Sequence, residues 1–164
     1  MRLLPFEKFQ IRTSLSEVEI KKRLADNLEP EKIIRFNWSN SGRKTFEGEI
    51  VKNQFRISRI ISYRNSFLPV IFGRIEDLGS FREIHITMRM AMAVIIFMCV
   101  WLGMAGVIAI LVLIAGLSTK SSIAALIPTG FFAFGYILMM GGYLTESSNS
   151  KEILSKLFEE EQIR

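Results

Sequence analysis

One stretch constrains this chain more than any other. From Met90 to Thr119 there are 30 consecutive uncharged residues, then Lys120 alone, then 25 more from Ser121 to Thr145. A helix rises about 1.5 Å per residue, so about 20 apolar residues cross the hydrocarbon core of a bilayer. The pattern predicts two transmembrane helices, about 91–117 and 122–144, joined as a hairpin.

The hairpin divides the chain into a polar part, residues 1–89, and a tail, residues 146–164. The first is large enough to bury a modest core, and the tail needs a surface to fold against. Residues 1–89 carry 17 Lys/Arg against 11 Asp/Glu, and the tail 3 against 5. Arg74, Arg82 and Arg89 precede the first span, while Lys120 is the only charge between the spans. Basic residues stay on the cytoplasmic side, which predicts both termini inside a plasma membrane. The opening MRLLPFEKF is too short in apolar residues for an export signal, in keeping with a cytoplasmic first domain. Cys99, the only cysteine, lies in the first span and excludes an intramolecular disulfide.

Periodicity supplies the elements. Phe6, Phe9 and Ile11 suggest a first strand over 5–13. Ser14-Leu-Ser-Glu17 has the spacing of a capping box and opens a helix over about 15–28, with Val18, Ile20, Leu24, Ala25 and Leu28 as its apolar stripe. Glu29-Pro30 stops it. Strands follow at 33–38, around 45–50, 55–61, 68–75 and 82–90, giving a meander of four or five antiparallel strands. The apolar parity slips between Ile57 and Ile60, which suggests a bulge near Ser58. In the tail, Ile153, Leu154, Leu157 and Phe158 form the apolar stripe of an amphipathic helix that packs on the sheet. The fold class is therefore a membrane α+β protein: an antiparallel β-meander with flanking helices, helix-grip-like or pleckstrin-homology-like, with a transmembrane hairpin inserted before the C-terminal helix. For the hairpin seam, small residues that let backbones approach closely are the candidates: Ala105, Ala109, Ala125, Thr129 and Ala133.

Chemistry is sparse. His85 is the only histidine, and with Cys99 in the apolar run no second soft ligand is available for zinc, so no metal and no cofactor is expected. Glu47 and Glu49 share a strand face but have no nucleophile or phosphate-binding motif beside them, and no catalytic residue is assigned. Lys52, Arg56, Arg59 and Arg64, close in sequence, are candidates for contact with anionic lipid or a protein partner. Arg64, Asn65 and Ser66 could line a pocket at the sheet rim. No aromatic signature for nucleic-acid binding accompanies these cations, and nucleic acid is not expected as a partner.

The segment Tyr63-Arg-Asn-Ser-Phe-Leu-Pro69, preceded by Phe46-Glu-Gly48 and followed by Met88-Arg-Met90 at the entry to a two-span hairpin, resembles a group of small uncharacterised bacterial membrane proteins. The resemblance implies a bacterial inner membrane and carries no activity. The expectation is an integral membrane protein presenting a cytoplasmic binding or scaffolding domain, not an enzyme, with membrane lipid and a protein partner or further copies of itself as its contacts. The alternative is a small oligomeric membrane effector or pore gated by its soluble domain.

Overall fold

The computed structural model describes residues 4–30, 44–119 and 126–159. The elements run β1 (Phe6–Thr13), α1 (Glu17–Asp26), β2 (Leu28–Glu29), β3 (Phe46–Val51), β4 (Gln54–Arg59), β5 (Pro69–Asp77), β6 (Arg82–Met90), α2 (Met92–Thr119) and α3 (Leu126–Phe158). The expected strand at 33–38 lies outside the described residues, as does Ala125.

The strands form one six-stranded sheet in the order β1-β6-β5-β4-β3-β2. The sheet is mixed, because β2 pairs parallel to β3 while every other pairing is antiparallel. This corrects the all-antiparallel expectation. The chain leaves α1 running alongside β3, and Phe46 N donates to the Asn27 carbonyl at 3.0 Å.

Alternation along the strands sends one set of side chains to a single buried face. In register across the sheet, Phe9 sits beside Ile86, Ile86 beside Gly73, Gly73 beside Phe55 and Phe55 beside Ile50. Gly73 leaves room for the Phe55 ring, whose Cζ would lie 1.9 Å from an added Cβ. No bulge interrupts β4. Its register runs unbroken from Gln54 through Arg59, and Ile60 lies past the strand end, so the slip in parity marks a terminus.

Two helices cover this face. The N-cap of α1 is Ser16, whose hydroxyl accepts from Glu19 N at 3.2 Å, two residues later than the first Ser-x-x-Glu spacing suggests. The shift turns Ile20 and Leu24 into the core and leaves Val18 exposed. The sequence holds two overlapping capping boxes, and packing selects the second. The last third of α3 contributes Leu154 and Phe158 to the same core. Arg23 of α1 reaches the end of α3 and donates to the Leu157 and Glu159 carbonyls at 3.2 and 2.9 Å, capping that helix terminus.

The two long helices are long and apolar enough to cross a membrane. Met90 ends β6 and Met92 begins α2, so one residue separates sheet from helix. Pro128 lies in the first turn of α3, where its missing N–H costs nothing. From Leu126 α3 runs 33 residues without interruption, apolar first and amphipathic after, so the separate C-terminal helix expected from the sequence is the continuation of the second apolar helix. The α2–α3 seam is built from glycine and aromatic side chains. The Trp101 ring fills the space over Gly135, and the Phe132 ring lies against Gly106. Of the seam candidates, Ala105 is buried and Ala109 half-buried, while Thr129 and Ala133 are exposed.

Candidate functional site at the junction of sheet and long helices

Where α3 leaves its apolar half, a band of polar side chains is buried between it, the sheet and the loop that joins β4 to β5. Strand parity determines its members. Arg59 shares the core face of β4 with Phe55 and Ile57, and Glu7 shares the core face of β1 with Phe9 and Ile11. Both side chains therefore point at α3. That helix presents Tyr143, Glu146, Ser147 and Ser150 to them, at the three- and four-residue spacings that make one face.

Apart from Ser150, whose buried hydroxyl has no hydrogen-bond partner among the described residues, the polar groups pair off. Glu146 is 1 % exposed; one carboxylate oxygen accepts from the Tyr63 hydroxyl and the other lies 3.0 Å from Arg59 Nη1. Glu7, 4 % exposed, accepts from the Ser147 hydroxyl at 2.6 Å and from Lys151 Nζ at 3.3 Å. The Lys151 ammonium also lies 4.8 Å from the centre of the Phe9 ring. A buried charge without partners is costly, and here each carboxylate has both a cation and a hydroxyl.

The β4–β5 loop locks onto the same helix. Asn65 Oδ1 accepts from Phe67 N at 2.9 Å, closing a local turn, while its Nδ2 donates to the Gly142 carbonyl at 3.0 Å. Phe67 then lies against Gly142, where an added Cβ would sit 2.9 Å from Phe67 Cδ2. Tyr143 is fully buried and donates to the Met88 carbonyl at 3.0 Å, tying α3 to β6. Its position at the end of the apolar run is that of a boundary aromatic, and the structure buries the ring between α3 and the sheet. Tyr143→Phe is expected to lower stability by about 1–2 kcal/mol, because the Met88 carbonyl stays buried without its donor. Chemical denaturation in detergent micelles measures this.

The sequence candidates are dispersed. Lys52 lies in the β3–β4 turn with φ of 52°, beside an open cleft of about 700 Å³ at the far end of the sheet from α2. Arg56 is exposed on the outer sheet face, Arg59 is on the inner face with Glu146, and Arg64 and Ser66 are exposed on the loop. Asn65 alone of the loop trio is engaged with α3. Glu7, Tyr63, Tyr143, Glu146, Ser147 and Lys151 belong to the junction without being among the sequence candidates. A signal for two of them existed: Glu7 and Glu146, like Arg59, are charged residues on faces that otherwise carry apolar side chains into the core.

His85 sits on the outer face, 3.0 Å from Gln10 and 3.1 Å from Glu76. Among the described residues no group of three His, Cys, Asp or Glu side chains is arranged to hold a metal. The junction holds charge in place and joins the sheet to the long helices. No protein-family model, characterised protein or solved structure matches this chain.

Proposed function

We propose that this chain is a two-span integral membrane protein of a bacterial inner membrane, and that its sheet domain is a cytoplasmic binding or scaffolding module held rigidly on the hairpin. The continuity of α3 carries the reading: one helix is apolar over its first half and part of the sheet core at Leu154 and Phe158. Any movement of the second span is thereby a movement of the sheet.

The apolar halves of α2 and α3 support insertion. Phe97, Val100, Leu111, Ile127, Phe134 and Ile137 are all more than half exposed, a surface that water does not tolerate and hydrocarbon does. The cytoplasmic side is read from Arg74, Arg82 and Arg89 before α2 against the lone Lys120 between the helices. Among fold types, the open sheet with β1 and β2 at its two edges and both covering helices on one face favours a helix-grip arrangement over a closed pleckstrin-homology barrel. The opposite sheet face and the exposed Arg64 and Ser66 of the β4–β5 loop are then the surfaces open to a partner.

Photo-crosslinking in living cells tests the module reading, using full-length protein with a photoreactive residue at Thr87 on the outer face or at Ile137 on α3. A discrete cytosolic adduct from position 87, together with silent planar-bilayer recordings, is the expected result. Steady ion conductance from the purified protein would favour a pore instead.

A further inference from the structure

The outer face of the sheet, at the end that leads into α2, carries cations that bind no acid among the described residues. Phe6, Lys8, Val70, Phe72 and Arg89 share the parity that faces away from α1 and α3, and the register sets Phe6 beside Arg89 and Arg89 beside Val70. Lys8 Nζ lies 5.4 Å from the centre of the Phe6 ring, and the Arg89 guanidinium 4.7 Å from that of Phe72. Among the described residues neither cation has a carboxylate partner.

The acids at this end are already committed. Glu7 and Glu146 are buried on the opposite face with Lys151 and Arg59. Of the other acids on the outer face, Glu83 is paired with Arg12 at 3.2 Å and Glu76 lies 3.1 Å from His85, both toward the opposite end of β6 and β5. Glu47 and Glu49 are on β3, three strands from β6. At a spacing of about 4.8 Å per strand that is about 14 Å, beyond the screening length of about 8 Å at physiological salt. Among the described residues the cations therefore present an uncompensated positive charge.

Its surroundings indicate what neutralises it. Arg89 is three residues before Met92, where α2 begins, and Met92 is 58 % exposed. Leu4 and Phe6 are 71 % and 45 % exposed, so apolar surface continues from α2 onto the start of β1 with the two cations beside it. We infer that Leu4, Phe6, Lys8, Arg89 and Met92 form a binding surface for anionic phospholipid headgroups. The two cations engage phosphate oxygens, Arg89 with the planar fork that suits them, and the apolar side chains enter the interfacial layer. This inference rests on the membrane reading above. The surface fixes the tilt of the sheet against the bilayer and leaves the rest of the outer face to a partner.

The test is lipid binding by the full-length protein. Protein is reconstituted into nanodiscs of phosphatidylcholine with or without phosphatidylglycerol, then transferred to micelles, where native mass spectrometry gives the affinity for each lipid. Wild type is expected to prefer phosphatidylglycerol. Lys8→Gln and Arg89→Gln each weaken that binding roughly fivefold, and the double variant roughly twenty-five-fold. Arg89→Lys keeps most of the binding, which guards against a folding defect in the glutamine variants. Lys52→Asn, at the far end of the sheet, changes nothing. Equal affinity for the two lipids, an unaffected double variant, an equal loss from Lys52→Asn, or displacement of the lipid by a soluble acidic peptide would each overturn the headgroup site while leaving membrane insertion standing. Failure of the wild type to enter nanodiscs at all would remove the membrane reading, and this inference with it.

Discussion

Replacing Glu146 by alanine is expected to destabilise the junction by about 3–5 kcal/mol, the cost of leaving one partner of a buried ion pair alone. Arg59, with its side chain 17 % exposed, loses the carboxylate 3.0 Å away, and the Tyr63 hydroxyl loses its acceptor at the same time. The loss is a property of the pair. Arg59→Met with Glu146→Leu removes both charges and keeps the volume, and this double variant should recover most of the stability. Denaturant titrations of wild type, Arg59→Met, Glu146→Leu and the double variant, purified in micelles, give the four corners of the cycle. If Glu146→Ala and the double variant are equally destabilised, the ion pair is not what the junction depends on.

Gly48→Ala should damage the sheet about as severely, by about 2–5 kcal/mol from strain and overpacking together. Gly48 has φ of +142°, and a Cβ there would lie 2.1 Å from the Arg56 carbonyl oxygen and 2.8 Å from Ile57 Cα. Both obstacles are backbone of the neighbouring strand, so no rotamer change relieves them, and β3 and β4 must part. Gly79 provides the control. It has φ of +86° with open space around it, so Gly79→Asn should cost less than about 1 kcal/mol. Equal effects of the two substitutions would mean that backbone conformation, not the close approach of β4, sets the cost.

How much of this was legible depended on the range of the interaction. The strands β1, β3, β5 and β6, the helix α1 and the two long apolar helices follow from local periodicity, because each buries a face whose spacing the sequence repeats. Where two local solutions compete, periodicity alone does not choose. Ser14-x-x-Glu17 and Ser16-x-x-Glu19 are equally good capping boxes, and only the fit of Ile20 and Leu24 into the sheet selects the second. The parallel pairing of β2 with β3 depends on two residues, Leu28 and Glu29, too few to leave a pattern.

The seam and the junction involve contacts that no local window contains. Small-residue spacing suggests Thr129 and Ala133, which are exposed, whereas the seam is set by Trp101 entering the space over Gly135. Arg59 and Glu146 are 87 positions apart. What the sequence does show is that each interrupts a face that carries apolar side chains: Arg59 follows Phe55 and Ile57, and Glu146 falls between Met139 and Tyr143 on one side and Leu154 on the other. A charge at such a position calls for an opposite charge elsewhere in the chain, and finding it requires the fold.

On the proposed reading, the two long helices cross a bilayer and leave the sheet in the cytoplasm. Cysteine accessibility in intact cells tests this most directly, on a Cys99→Ala background with single cysteines at Ser66, Ser121 and Ser148. An impermeant thiol reagent should label position 121 only, while 66 and 148 react after the cells are opened. Labelling of 66 and 148 in intact cells, with 121 protected, would invert the topology and place the sheet domain outside the cytoplasm.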